Sequence, residues 1–240
     1  MKAAVLIAHY NKNEQLKNTL IGIARQKTQH PFEVCIVDDR SEVDPMGAIG
    51  EILIPADIDY KYKRLEKNYG AQYSQKPCYD LVSDDVDTII IMSCDVIMAD
   101  TNIIEELTNQ LWSLDGNYIV TGDVRNISFP KIAHDFEFEI DKTMEVWDIS
   151  QTYSNPIRMY LFMTAIKRHI LDRSDFKNNN CDVLMDTSLK RLGCKHYIDK
   201  ELRAVHQKHP DVIHPCSIVN ECKYNCIRRG RISRRTEHPQ

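Results

Sequence analysis

The run Asp87-Thr-Ile-Ile-Ile-Met-Ser-Cys-Asp95-Val-Ile-Met-Ala-Asp100 constrains the fold more than any other stretch of the chain. Ile89 to Met92 are apolar without alternation, bounded by Asp87 on one side and Ser93-Cys94-Asp95 on the other. A strand with one wet face alternates polar and apolar residues. An unbroken run is instead buried on both faces, as in a parallel sheet under helices. In open sheets of that kind, ligands sit at the carboxyl ends of the strands. Asp95 therefore stands where a functional carboxylate is wanted, although a helix cap or a turn also favours aspartate.

The rest of the first half repeats this arrangement. Residues 2–8 and 32–37 read as strands, the second ending in Asp38-Asp39-Arg40-Ser41. Residues 13–26 read as a helix with Leu16, Leu20, Ile23 and Ala24 on one face, capped by Asn11 or Asn13. A short helix within 43–53, a strand over 59–65 and a turn at Asn68-Tyr69-Gly70 follow, then a helix over 71–82. After the opening run come a helix over 102–114 and a strand over 118–121. Strands alternating with helices predict an α/β fold with a right-handed, mostly parallel sheet over the first 121 residues.

The pattern loosens from Gly122 onward. Helices are expected over 157–171 and 182–192, the second ended by Gly193, with a short strand over 196–198 leading to Leu202-Arg203-Ala204-Val205-His206. No linker or repeat divides the chain. It reads as one domain, with a first half at 1–121, a second half at 122–227 and a basic tail at 228–240.

Composition excludes several classes. A formal net charge of -4 over 240 residues gives no reason to expect a nucleic-acid partner. No apolar run approaches the ~20 residues of a membrane span, and the start stops being apolar at His9-Tyr10-Asn11, too soon for a signal peptide. Eight scattered cysteines do not form a disulfide pattern and suit a reducing, cytoplasmic setting. Cys216, Cys222 and Cys226, with His209 and His214, lack the paired spacing of a structural zinc site.

Polar residues thus end three apolar strands: His9-Tyr10-Asn11, Asp38-Asp39 and Ser93-Cys94-Asp95. On one rim, Asp39 can accept hydrogen bonds from a base or ribose, and Asp95 can hold a hard cation that brings phosphates with it. The alternative is a simple polar turn built by Asp38, Asp39 and Ser41.

These segments resemble the family 2 glycosyltransferases of the GT-A fold. Val5 to Lys12 is similar to that family's strand ending "P-T-Y-N-R", and Val34 to Ser41 resembles "V-I-V-V-D-D-G-S", with Arg40 at the glycine. Asn68-Tyr69-Gly70-Ala71 resembles "N-x-G-x-A", and Ile90 to Asp95 falls at "F-L-D-x-D", with Ser93 at the first aspartate. The resemblance implies an inverting transfer from a nucleotide-diphosphate-sugar donor to a hydroxyl of a glycan, lipid-linked or protein acceptor. It implies a donor pocket of Ala8, Tyr10, Asn11, Asp39, Asn68 and Cys94, and a manganese or magnesium ion on Asp95. His206 resembles the late histidine completing that metal shell, and imidazole suits manganese better. Met185 to Gly193 resembles the segment carrying the general base, which makes Asp186 the first candidate and Asp182, one turn earlier, the second. Trp147, Tyr153 and Tyr160 offer flat faces for a sugar ring. Two other readings stay open. A nucleotidyltransferase of related fold would need a glycine-rich loop after the first strand, which His9-Tyr10-Asn11-Lys12 lacks. A non-catalytic relative that binds a glycan or nucleotide would bind nucleoside diphosphate without turnover.

Overall fold

The computed structural model describes residues 1–69, 75–128, 163–174 and 188–208. Their strands are β1 (Ala3–His9), β2 (Phe32–Asp38), β3 (Asp59–Arg64), β4 (Thr88–Ser93), β5 (Val96–Met98), β6 (Tyr118–Ser128), β7 (Met163–Lys167) and β8 (Lys195–Lys208). The helices are α1 (Asn13–Ala24), α2 (Met46–Leu53), α3 (Gln75–Tyr79), α4 (Ile103–Ser113) and α5 (Arg168–Arg173). All eight strands form one sheet in the order β3-β2-β1-β4-β7-β6-β8-β5.

The apolar runs are buried on both faces, as their lack of alternation requires. Ala3, Val5, Ile7, Ile90 and Met92 pack into a core with Leu16, Leu20 and Ile23 of α1, Ile49 and Leu53 of α2, and Leu107 and Leu111 of α4. The intervening Ala4, Leu6, Ile89 and Ile91 face the opposite side, against Cys78 and Tyr79 of α3 and Ile170 and Leu171 of α5. Ile89, Ile90 and Ile91 are fully buried, each worth about 2–3 kcal/mol of apolar burial.

The topology explains the shape of the sheet. β4 and β5 are joined only by Cys94 and Asp95, yet β7, β6 and β8 lie between them in the sheet order. Four inter-strand spacings in a flat sheet amount to ~19 Å, whereas three residue steps reach only ~10 Å. The sheet must therefore curl. The bend is visible at Gly122/Asp123, where the β6–β8 register jumps from Gly122↔Asp199 to Asp123↔Arg203. A bulge of this kind sharpens strand twist and bending. Gly122 is required there, because a Cβ at that position would lie 2.5 Å from the Leu202 carbonyl oxygen and 2.4 Å from Met163 Cε.

The mostly parallel sheet is borne out over β3-β2-β1-β4 and in the β6–β8 pair, while β7 is antiparallel to both β4 and β6, and β5 is antiparallel to β8. Several other expectations are corrected. Residues 163–167 form β7 rather than helix, because Met163 to Ile166 are buried between two strands; among the described residues of the helix expected over 157–171, the helical ones belong to Arg168–Arg173. β6 runs on to Ser128, and β8 is continuous rather than a strand of three residues, since its second half pairs with both β6 and β5. The short β5 was not anticipated, and the described part of the helix expected over 71–82 spans Gln75–Tyr79. Lys12, not Asn11 or Asn13, is the N-cap of α1, without a side-chain cap bond. Gly193 does adopt φ +68°.

At the end of the sheet remote from the rim, Glu33 joins β1, β2, β3 and the segment before β4. It takes hydrogen bonds from the Ser83 N–H at 2.7 Å and hydroxyl at 2.6 Å, and pairs with Lys2 at 3.2 Å and Lys61 at 3.3 Å. Burial alone would raise its carboxyl, but the Ser83 bonds and the two ammonium groups outweigh it and lower the carboxyl to about 2. The folded value is below the unfolded one, so the stabilisation is present at neutral pH and is lost as pH falls from about 4.5 toward 2.

Glu33→Gln is predicted to destabilise by about 2–3 kcal/mol at neutral pH, with the difference shrinking in denaturant titrations as pH falls from about 4.5 toward 2. Gly122→Ala is predicted to cost about 1–3 kcal/mol by the same measurement; an unchanged midpoint would refute the close approach at the bulge.

Candidate active site

The carboxyl ends of β2, β1 and β4 lie level. His9 pairs with Asp38, and Ala8 pairs with both Val37 and Ser93. The residues that follow each strand therefore meet on one rim, as their sequence positions imply.

Two adjacent aspartates do different work there. Asp38 is fully buried, accepts bonds from the Ser41 N–H at 3.2 Å and the Ser41 hydroxyl, and forms an ion pair with Arg64, whose Nε lies 3.2 Å away. Arg64 is further held by Asp44 at 3.0 Å and by the Ser41 carbonyl. This is the polar turn that sequence alone offered as an alternative. Asp39 is instead turned toward the next segment: its N–H donates to the His9 carbonyl at 2.8 Å, and its Oδ1 accepts the Tyr69 N–H at 2.7 Å. Between them and α2, Arg40 takes a left-handed conformation, φ +66°, which explains why the related motif has glycine at this position.

Asn11 is also left-handed, φ +50°. Its N–H donates to the Ser41 hydroxyl at 2.8 Å and its side-chain oxygen accepts the Glu42 N–H at 2.8 Å. The β1–α1 and β2–α2 loops are thereby locked together, with Ala8, Tyr10 and Asn68 partly exposed beside them. His9 itself is buried, with Nε2 2.8 Å from the Asn13 side-chain oxygen, and its burial lowers the imidazole from its usual range. Cys94 packs in the core, its carbonyl held by the Thr19 hydroxyl at 2.9 Å. Burial pushes its thiol up to about 12, so it is a neutral apolar group.

Asp95 is the centre of the rim. It is 3% exposed. The Ser93 hydroxyl donates to Oδ1, while Oδ2 meets Lys12 Nζ and, at 3.4 Å, His206 Nε2. Burial works to raise this carboxyl, and the His206 hydrogen bond and the Lys12 charge reverse that, holding it well below the usual carboxylate range. His206 arrives because it pairs with Val96, the residue after Asp95, and because the Gln207 N–H donates to the Asp95 carbonyl at 2.8 Å. Gln207 is fully buried, and its side chain bonds Asn18 and the Gln15 carbonyl of α1 at 2.9 and 3.2 Å. Helix α1 thus grips both the β4–β5 link and β8.

Sequence reasoning brings together Asp39, Asp95 and His206 on this rim. It missed Lys12, whose signal was its alignment with the basic residue closing "P-T-Y-N-R", and Gln207, which carried no signal beyond standing next to His206. Asp182, Asp186, Trp147, Tyr153, Tyr160, His209, His214 and the three late cysteines lie outside the described residues. Among the described residues, no group of three or more His, Cys, Asp or Glu side chains gathers as a metal shell. Asp95 and His206 do form a donor pair. Two ligands about 2.1 Å from one ion at right angles stand ~3 Å apart, close to the observed 3.4 Å. A carboxylate oxygen and an imidazole nitrogen suit a divalent cation such as manganese.

Asp38→Ala is predicted to lower stability by about 3 kcal/mol, because it leaves Arg64 and Ser41 without their buried partner. Asp39→Asn, which keeps an oxygen for Tyr69, is predicted to cost about 1 kcal/mol or less. Denaturant midpoints of the two variants check this, and equal losses would contradict the division of labour.

Comparisons with known proteins agree with this architecture. The sequence pattern described as glycosyl transferase family 2 matches residues 4–171. The chain is 22% identical over 274 aligned positions to the uncharacterised glycosyltransferase YfnE of Bacillus subtilis, covering 94% of this chain and 69% of that protein. It is 27% identical over 137 positions to a chondroitin synthase of Pasteurella multocida, covering 55% of this chain and 14% of that protein. Among solved structures, the mannosyltransferase PcManGT of Pyrobaculum calidifontis, in complex with GDP-Man and Mn2+, superposes with a TM-score of 0.63 at 16% identity, covering 87% of this chain and 57% of that one. TarS of S. aureus superposes with a TM-score of 0.61 at 13% identity, covering 88% of this chain and 37% of that one. The fold is therefore that of the GT-A glycosyltransferases, and the chain, a glycosyltransferase, belongs to glycosyl transferase family 2.

Proposed function

We propose that this chain moves a sugar from a nucleotide-diphosphate-sugar to an acceptor hydroxyl with inversion at the anomeric carbon. The observation that carries the reading is the pairing of Asp39 and Asp95 at the level ends of β2 and β4, on either side of β1. Ligands of such sheets lie across these ends. The solved neighbours support a donor of this class: one holds GDP-Man with Mn2+, and TarS has been seen with UDP and with UDP-GlcNAc.

In this reading Asp39 accepts hydrogen bonds from the base, and the locked loop of Ala8, Tyr10 and Asn11 forms the nucleotide wall with Asn68 and the Cys94 backbone. Asp95 and His206 would hold Mn2+ or Mg2+, which when bound supplies Lewis-acid stabilisation of the leaving diphosphate. Asp186, or Asp182, takes the proton from the acceptor hydroxyl, whose oxygen attacks from the face opposite the diphosphate. Residues 122–227 supply the acceptor side, for a glycan, lipid-linked or protein acceptor. Cys35, Cys78, Cys94 and Cys194 are unpaired and buried, which supports a reducing, cytoplasmic setting. Among the described residues, no helix is long and apolar enough to cross a membrane.

Asp95→Asn is predicted to lower kcat/KM for donor turnover by about 10²–10³, and Asp186→Asn to lower kcat by about 10²–10⁴, both assayed as nucleoside diphosphate release. Normal turnover by Asp95→Asn would refute its role. Proton NMR of the product should show a β-linkage from an α-linked donor; an α-linked product would refute inversion.

A further inference from the structure

The cation on Asp95 is supplied by the chain itself. Lys12 Nζ contacts Oδ2, the same oxygen that His206 Nε2 approaches at 3.4 Å. Both partners are enclosed, with side-chain exposures of 10% for Lys12 and 4% for Asp95. The contact is well anchored. Lys12 is the N-cap of α1, its carbonyl accepts the Leu16 N–H at 2.8 Å, and the preceding Asn11 is bound to Ser41 and Glu42. On the other side, Ser93 holds Oδ1, and Gln207 holds the Asp95 carbonyl at 2.8 Å. Arg64, which is also held by a rim carboxylate, is committed to Asp38, Asp44 and the Ser41 carbonyl.

A divalent ion between Asp95 and His206 would sit against this ammonium, and two like charges at that separation repel strongly in a site shielded from water. The carboxylate cannot serve both at full strength. We propose that Lys12 is the resident counter-ion of Asp95, that a divalent metal reaches the carboxylate by displacing it, and that the displaced ammonium passes to the donor's diphosphate. This rests on the reading of Asp95 and His206 as the metal-holding pair. A lysine is a compact point charge on a flexible stem, so it can exchange a carboxylate for a phosphate oxygen without moving α1. The free protein then binds metal weakly, and metal and nucleotide bind together: the ion removes the ammonium's partner and the diphosphate provides a new one. Ser93, in place of a second carboxylate, fits the same logic, because another acid here would need a second resident cation.

The test is Mn2+ binding without nucleotide, read from the electron paramagnetic resonance signal of free Mn2+. It compares the full chain with Lys12→Met, Lys12→Arg and Asp95→Asn. Lys12→Met should bind Mn2+ at least about tenfold more tightly than the unsubstituted chain. Lys12→Arg should stay within about threefold of it, and Asp95→Asn should lose binding. Unchanged or weaker binding by Lys12→Met, with Asp95→Asn still defective, would overturn the displacement while leaving the metal pair intact. Binding that survives Asp95→Asn, or that no form shows, would overturn both. A second measurement needs no substitution: the rate at which an amine-reactive label modifies Lys12, read by mass spectrometry. Mn2+ alone should raise that rate at least about fivefold, and uridine or guanosine diphosphate added with Mn2+ should suppress it again. A Lys12 that stays protected while Mn2+ is bound would contradict the proposal.

Discussion

The two-residue link between β4 and β5 is the constraint on which the rest depends. Cys94 and Asp95 must carry the chain from the middle of the sheet to a strand at its far edge. That step is too short for a flat sheet, so β6 and β8 bend at Gly122 and bring β5 back toward β4. Once β5 pairs with β8, His206 has nowhere else to go: its register partner is Val96, immediately after Asp95. The same geometric demand thus closes the fold and assembles the centre of the site. Helix α1 secures it, with Thr19 on the Cys94 carbonyl and Gln15 and Asn18 on Gln207.

Charge is distributed along the strands in a way that separates stability from chemistry. Glu33, at the amino end of β2, and Asp38, at its carboxyl end, are saturated by partners that tie neighbouring segments together. Both hold the scaffold. Asp39 and Asp95 are one residue and two residues beyond their strands, at the carboxyl ends of β2 and β4, and both are buried. Their partners come from separate segments, the Tyr69 N–H for Asp39 and Lys12 and His206 for Asp95, so each can respond to what binds between those segments. Asp95 is the more exposed to such exchange, since two cationic or proton-bearing groups already share one of its oxygens.

Much of this was legible in the sequence, for identifiable reasons. Of the four parallel strands, β1, β2 and β4 were readable because unbroken apolar runs such as Ile89 to Met92 suit a sheet covered on both faces, and β3 because Asp59 to Leu65 alternates. The placement of Asp39, Asp95 and His206 at one end of the sheet was readable because each follows such a run or matches a family motif. Elements of the second half were not. β7 looked helical because Met163 to Ile166 carry no period that distinguishes a short buried strand from a buried helix. β5 is three residues long, and its pairing depends on a strand more than a hundred residues away. Lys12 was visible as a motif residue, yet its contact with Asp95 depends on how far β1 and β4 carry their ends forward, which only the sheet register specifies. The saturation of Asp38 by Ser41 and Arg64 likewise needed three dimensions to separate it from Asp39.

The central claim is that the rim made by Asp39 and Asp95 is a nucleoside-diphosphate site. The most direct measurement is calorimetric titration of the full chain with uridine and guanosine diphosphate in the presence of Mn2+, repeated on Asp39→Asn and Asp95→Asn. The account predicts that at least one of the two nucleotides binds and that each substitution weakens it by about tenfold or more. Binding that neither substitution alters would place the nucleotide elsewhere and contradict the account.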